Sequence, residues 1–282
     1  MLDILFFDVG AGQNVFFYPY SDPNYTLMVD CGITQDFEPV DWLIKNRLLQ
    51  SNKYNLTLTN YDQDHFSGLP YLMDRCKPET ICFPENISIE QLDAIKPDKT
   101  EALNAVLYVR KTYTGIVEDY NPPYIKRTFY LRLSDLDVPD LTTNNLSQMI
   151  FVSHNNTTVC IPGDLEQAGW NKMLEKPDVQ KLLHATNIFV ASHHGRENGY
   201  VSEIFDYCNP ECIIISDKHK IYDTQEDMSE IYGTHVSGYG IMLNNSLRKI
   251  LTTRADGTIR VRVNPDGSRE YFTAKLAHAM AH

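Results

Sequence analysis

No apolar run in this 282-residue chain approaches the roughly 18–20 residues that a membrane-crossing helix needs, so no transmembrane segment is expected. The chain opens on Met1-Leu2-Asp3-Ile4-Leu5, with no basic stretch ahead of an apolar one. It reads as the start of a strand, and a secretory leader is not expected. Cysteine is sparse and shows no paired pattern. Cys31, Cys76, Cys82, Cys160, Cys208 and Cys212 stand mostly in apolar, strand-like contexts and read as buried thiols of a reducing cytoplasm. Cys208-x-x-x-Cys212 lacks the second pair that would make it a zinc site. Positive charge is short as well. With 25 Lys+Arg against 37 Asp+Glu the formal net charge is −12, which argues against a broad face for long duplex nucleic acid, because such binding depends on neutralising phosphates. A local metal site can still hold one phosphate on an acidic protein, since the ion dominates the local field. The sequence shows no internal repeat and no low-complexity block.

Hydrophobic residues make up 43% of the chain and charged residues 22%, the balance of a globular protein long enough for a sizeable core. Residues 2–8, 13–18 and 26–30 read as a three-stranded antiparallel meander, divided at Gly10-Ala11-Gly12 and Ser21-Asp22-Pro23-Asn24. Residues 39–50 fit an amphipathic helix with Val40, Leu43, Ile44 and Leu48 on one face. A strand over 54–58 and a short helix from Ser67 to Asp74, capped by Ser67, follow. The segment 86–140 is the least legible. It contains a helix over 100–111 and a break at Asn121-Pro122-Pro123, and reads as a lid or insert or as a surface elaboration. Strands at 149–152 and 157–161 form a hairpin around His154-Asn155-Asn156. Helices lie near 165–175 and 178–184, and a closing hairpin over 248–263 turns at Ala255-Asp256-Gly257. The last residues, 275–282, read as a tail.

Three segments carry the chemistry. Thr59-Asn60-Tyr61-Asp62-Gln63-Asp64-His65 follows the strand 54–58, Gly163-Asp164 follows the strand 157–161, and His193-His194-Gly195-Arg196 follows an apolar strand ending at Ala191. Each is a strand followed by a loop bearing Asp or His, which suggests a site assembled at one sheet edge. Carboxylate oxygens together with imidazole suit Zn²⁺ or Mn²⁺. Read alone, Asp62 could cap a helix, Asp64-His65 could be a hydrogen-bonded corner, Gly163-Asp164 a plain turn, and His193-His194-Gly195 a buried structural pair. Their joint occurrence favours a site.

In the order DxDH…GD…HHG the chain resembles the metallo-β-lactamase-fold hydrolases, and most closely the soluble hydrolase domain of DNA-uptake competence proteins and its stand-alone relatives. Phe6-Phe7-Asp8-Val9-Gly10-Ala11-Gly12-Gln13-Asn14, Met28-Val29-Asp30-Cys31-Gly32 and Ile250 to Ile259 look like further elements of that group. The resemblance implies an α/β fold, an αββα sandwich of two mixed β-sheets flanked by helices, with residues 1–274 as one domain. It implies one or two divalent ions. Asp62 would serve the first position, with Asn60 as a weak ligand where the family has His. Asp64 and His65 would serve the second, with Asp164 bridging and His193 or His194 as the late ligand. No His stands near Asn144-Asn145-Leu146-Ser147, where a third ligand of the first position would lie. That position is therefore expected to bind Mn²⁺ or Mg²⁺ weakly or to stay empty, and Asn60→His is expected to strengthen it.

The remaining assignments follow from the same reading. Asp30 is expected to orient a ligand from behind. Arg196 and Asn198 would bind substrate, Tyr222 and Thr224 would line the mouth, and His235 would protonate the leaving group. A bound ion brings the pKa of water from 15.7 to about 7, so hydroxide is available at neutral pH, oriented by Asp164 or Asp62. The resemblance implies a phosphodiesterase or nuclease acting on a small or short substrate, such as a nucleotide or single-stranded nucleic acid, in the cytoplasm and without a membrane partner. The alternatives are a catalytically weak binding module with a degenerate first position, or a hydrolase of another ester or amide.

Overall fold

The computed structural model describes residues 1–96, 98–115, 120–218 and 224–274, without the side chains of 224–227. Tyr222 and the tail 275–282 lie outside the described residues. Strands β1 (Leu2–Phe6), β2 (Val15–Pro19) and β3 (Thr26–Val29) form the expected antiparallel meander. Helix α1 (Pro39–Lys45) is shorter than its apolar pattern, because Asn46 caps it and Arg47 takes a left-handed φ of 59°. Strand β4 (Tyr54–Thr57) runs parallel to β3.

The Asp/His turn that follows is itself helical: α2 (Gln63–Phe66) precedes α3 (Leu69–Arg75). Ser67 does not cap that helix. Its Oγ accepts the Ile33 N–H at 3.1 Å and ties the turn to the chain beyond β3.

After β5 (Thr80–Cys82), the segment read as an insert or surface elaboration supplies α4 (Ile89–Ile95), α5 (Glu101–Thr112) and β6 (Ile125–Phe129). Thr100 caps α5, whose Ala102, Leu103, Val106 and Val109 are buried in the core, and β6 pairs with β7 (Met149–His154). The hairpin to β8 (Thr157–Ile161) turns at Asn155 and Asn156, both at positive φ. Helices α6 (Gln167–Leu174) and α7 (Pro177–His184) lead to β9 (Ile188–Val190). Short 3-10 turns connect that strand to β10 (Cys212–Ile215). Helix α8 (Thr224–Thr234), the small hairpin β11 (Ile241–Leu243) with β12 (Ser246–Arg248), β13 (Ile250–Thr252), the single turn α9 (Thr253–Asp256), β14 (Thr258–Val263) and β15 (Arg269–Ala274) complete the described chain.

The expected closing hairpin turning at Ala255-Asp256-Gly257 is not a hairpin. Strand β13 is parallel to β10, whereas β14 is antiparallel to β1, so the chain changes sheets through α9. The closing hairpin is β14–β15, one pairing later.

The strands form two mixed sheets, ordered β15-β14-β1-β2-β3-β4-β5 and β13-β10-β9-β8-β7-β6. Alternation along each strand sends side chains to opposite faces. Leu2, Ile4, Phe6, Val15 and Phe17 of one sheet meet Ile150, Val152, Val159, Ile161, Val190 and Ile214 of the other in the inner core. The opposite faces carry Leu5, Phe16, Met28 and Leu56 against Val40, Trp42 and Leu72, and Phe151, Cys160 and Phe189 against Trp170, Met173 and Leu183. The result is helix–sheet–sheet–helix, the αββα sandwich. Among the described residues no helix is long and apolar enough to cross a membrane. The parallel runs β3-β4-β5 and β8-β9-β10-β13 put the loops after several strands at one edge, the usual place for a site in such sheets.

Candidate metal centre

Asp64 and His65 come from α2, after β4. Asp164 comes from the loop after β8, and His194 from the turn after β9. One ligand atom from each of these four lies within 4.8 Å of all the others. Close packing sets the first pair. A Cβ on Gly12 or Gly32 would stand 2.5 Å from the Asp64 carbonyl oxygen, so only glycine lets those two turns close over α2. The Gln13 N–H donates to the same carbonyl at 3.3 Å, and the Cys31 N–H donates to the His65 carbonyl at 2.8 Å. The late turn is strained: His193 and His194 take φ of 49° and 56°, a left-handed conformation costing roughly 1–3 kcal/mol per residue, which the structure around it must enforce.

The tautomers follow from the outer partners. His65 Nδ1 lies 2.8 Å from Asp30 Oδ2, and a carboxylate only accepts, so Nδ1 carries the proton. His194 Nδ1 lies 2.9 Å from the Ser216 carbonyl and is likewise the donor. In the neutral rings both Nε2 atoms then present lone pairs. His65 Nε2 approaches Asp164 Oδ2 at 2.9 Å without hydrogen-bond alignment, and His194 Nε2 stands 3.4 Å from Asp64 Oδ2 and 3.6 Å from Asp164 Oδ1. Both Nε2 atoms and Asp164 Oδ1 are buried without a hydrogen-bond partner. Buried lone pairs facing the buried Asp164 carboxylate and the partly exposed Asp64 carboxylate call for a proton or a cation between them. Burial alone would lower the pKa of His65, but Asp164 and Asp30 hold it well above 6.5, and Asp164 in the same way holds His194 above that value. Burial would raise the Asp164 pKa, and His65 and His194 reverse this to well below the ordinary carboxylate range. Such a set of two imidazoles and two carboxylates fits a divalent ion.

Asp30 has no exposed surface and, at φ 59°, turns its carboxylate under the site. Besides His65 it accepts from Gln13 Nε2 at 2.9 Å, the Thr59 N–H at 2.7 Å and Thr59 Oγ1 at 2.6 Å. The sequence suggested a role of this kind for Asp30. Gln13, Thr59 and Ser216 were not picked out. Thr59 is adjacent to the motif and could have been, whereas Ser216 only joins through the sheet.

The other candidates make different contacts. Asp62 is outside the four-residue group: Oδ1 accepts from Lys96 Nζ and, at 2.9 Å, from Thr143 Oγ1. Nor does Asp62 cap α2 through its side chain. Asn60 turns its Oδ1 back onto the Tyr61 and Asp62 N–H groups, while its Nδ2 reaches Asn144 Oδ1 at 3.4 Å. His193 Nε2 accepts from Arg196 Nη1 at 2.8 Å, and its Nδ1 faces Glu166 Oε1 at 3.7 Å, so His194 alone of the pair joins the four. Burial lowers the His193 pKa. Asn198 Nδ2 donates to Glu166 Oε1 at 2.8 Å, and Asn144 Nδ2 to the same oxygen at 3.0 Å. Glu166 is thus a hub that the motif reading passed over, two residues beyond Asp164. His235 bonds Tyr200 OH at 2.8 Å through Nε2 and stacks on Phe205 with ring centroids 4.0 Å apart.

A family model described as the metallo-beta-lactamase superfamily matches residues 9–204. The chain belongs to that superfamily. Solved structures agree on the fold. The metallo-beta-lactamase fold protein YhfI from Bacillus subtilis superposes with a TM-score of 0.51 at 10% identity, over 96% of this chain and 99% of that one. CmlA, a diiron beta-hydroxylase from Streptomyces venezuelae, gives 0.51 at 13% identity over 96% of this chain and 54% of its own. A comparison with curated proteins gives no match. The family match identifies the superfamily, the solved structures show its fold, and neither singles out the competence-type branch. The superfamily consists largely of metal-dependent hydrolases, but a hydroxylase shares the fold, so the reaction has to be argued from the site.

Proposed function

We propose that this protein is a metal-dependent hydrolase of a phosphodiester, acting on a small or short substrate such as a nucleotide or a single strand. The observation that carries the reading is the pair of buried Nε2 lone pairs turned toward Asp64 and Asp164, an arrangement suited to a cation in place of a proton. Asp64, His65, Asp164 and His194 would hold one Zn²⁺ or Mn²⁺. Such an ion supplies Lewis acidity and a water nucleophilic at neutral pH. The protein's own residues do the rest. Asp30 fixes the His65 ring and the Ser216 carbonyl fixes His194. Glu166, held by Asn144 and Asn198, offers a carboxylate two residues from Asp164 that can accept a proton. The exposed Arg196 puts a guanidinium beside His193, suited to an anionic oxygen of the substrate. A reducing cytoplasmic setting, and a substrate not borne on a membrane, belong to the same proposal.

The test is a chromogenic diester, short single-stranded DNA and RNA, and cyclic dinucleotides, each assayed with Mn²⁺, Zn²⁺ or Mg²⁺. Asp164→Ala should abolish turnover while the far-ultraviolet circular dichroism is kept. Normal metal binding with no diester cleaved under any ion sinks this reading. One observation favours a binding module instead: the Asp62 carboxylate, next to the four, is already engaged by Lys96 and Thr143. Saturable substrate-analogue binding without turnover would select that second reading.

A further inference from the structure

Asp62 and Asp64 are two residues apart at one turn, yet only Asp64 joins the group of four. Asp62 meets an ammonium instead. Lys96 is the residue that ends α4, and its backbone N–H closes that helix on the Leu92 carbonyl. From there Nζ reaches Asp62 Oδ1, on the same oxygen as Thr143 Oγ1. Both partners are about a quarter exposed, at 28% and 26% of their side-chain surface. Next to them Asn60 spends its carbonyl oxygen on two backbone N–H groups and its amide on Asn144, and Asn144 spends its amide on Glu166. Asp62 Oδ1 and the side-chain oxygens of Asn60 and Asn144 beside the four-residue group are therefore already matched to donors.

We infer that Lys96 is a built-in cation that occupies the Asp62 side of the site and limits the chain to a single metal ion. A divalent ion bound by Asp62 would lie close to the Lys96 ammonium held on Oδ1, and like charges so placed in a partly buried setting repel one another. The exclusion is electrostatic and comes from a different element than the turn, so it does not depend on whether residue 60 is Asn or His. The consequence differs from the expectation raised by the sequence: Asn60→His alone should not create a second metal position, because Lys96 remains. The inference rests on the metal-site reading above and deepens it. A substrate oxygen on that side would meet the lysine N–H donors not spent on Asp62, in place of a second ion.

Mn²⁺ alone is the probe. It is titrated calorimetrically into metal-stripped protein, and bound metal is counted by elemental analysis after gel filtration, for the wild type, Asn60→His, and Asn60→His with Lys96→Met. The expected counts are one, one and two ions per chain, with the second event in the double variant tighter by about tenfold or more than any second event in Asn60→His. Circular dichroism checks that each variant is folded, and Asn60→His with Lys96→Gln serves if the methionine variant is not. Two ions in Asn60→His alone overturn the inference, as does one ion in the folded double variant. A wild type that takes up no ion is a separate result, and it sinks the metal-site reading and this inference with it.

Discussion

His65 Nδ1 stands 2.8 Å from Asp30 Oδ2, and that contact decides which face of the imidazole is turned to the site. Asp30 is the acceptor for Gln13 and Thr59 as well, so one buried carboxylate fixes a ligand ring, the end of β4 and the turn after β1 together. Asp30→Asn should keep the fold while weakening metal affinity by about 10–100-fold, as loss of an orienting partner generally does. Asp30→Ala should in addition cost on the order of 3–5 kcal/mol, because a buried charged partner is removed and its donors are left unmatched. Metal titration and urea denaturation measure the two effects. Unchanged affinity in Asp30→Asn would show that the ring needs no such support.

Gly32 gives a second prediction. A Cβ there would lie 2.5 Å from the Asp64 carbonyl oxygen and 2.9 Å from that of Gln13, both backbone atoms with little room to move. Gly32→Ala should destabilise the protein by roughly 1–3 kcal/mol, as overpacking does, and should lower metal affinity because Asp64 is displaced. Equal stability and affinity in the variant would mean that the turn is more plastic than its packing indicates.

Protons and metal should compete. Burial by itself opposes the charged imidazole, but Asp164 and Asp30 raise His65 well above 6.5, and Asp164 and Asp64 raise His194. In metal-free protein a raised folded-state pKa gives stability that is complete below about 6.5 and is lost as pH climbs through the folded value. Metal requires the neutral rings, so its affinity should rise over the same span and its binding should release at least one proton near pH 7. The midpoint of metal-stripped protein should therefore fall as pH climbs above about 6.5 while the stabilisation by Mn²⁺ grows. Calorimetry in two buffers of different ionisation enthalpy counts the protons, and a buffer-independent enthalpy would contradict the account.

His235 was expected to protonate a leaving group. Its ring is instead bonded to Tyr200 and stacked on Phe205. His235→Ala should cost roughly 1–3 kcal/mol through lost packing and leave metal binding intact. A large fall in kcat at unchanged stability would restore the acid role.

Much of this site is legible in the sequence because it depends on local order. Asp64, His65, Asp164 and His194 each follow a strand, and the meander β1-β2-β3 shows its turns through glycine and proline. What is not legible depends on tertiary placement. No spacing distinguishes His193 from His194; the choice comes from Arg196 and Glu166 capturing one ring and Ser216 the other. The salt bridge of Asp62 comes from a residue 34 positions later, on a helix of the least patterned segment. The supposed last hairpin fails for a similar reason: Thr252 and Thr258 flank a turn with good hairpin residues, but their strands belong to different sheets.

The central claim is a single cation held by four named side chains. Anomalous scattering from crystals of protein purified without added metal and then loaded with Zn²⁺ tests it directly. The account predicts one peak per chain, with Asp64, His65, Asp164 and His194 as ligands at about 2.0–2.2 Å. A peak ligated by Asp62 or His193, or no peak at the four, would contradict it.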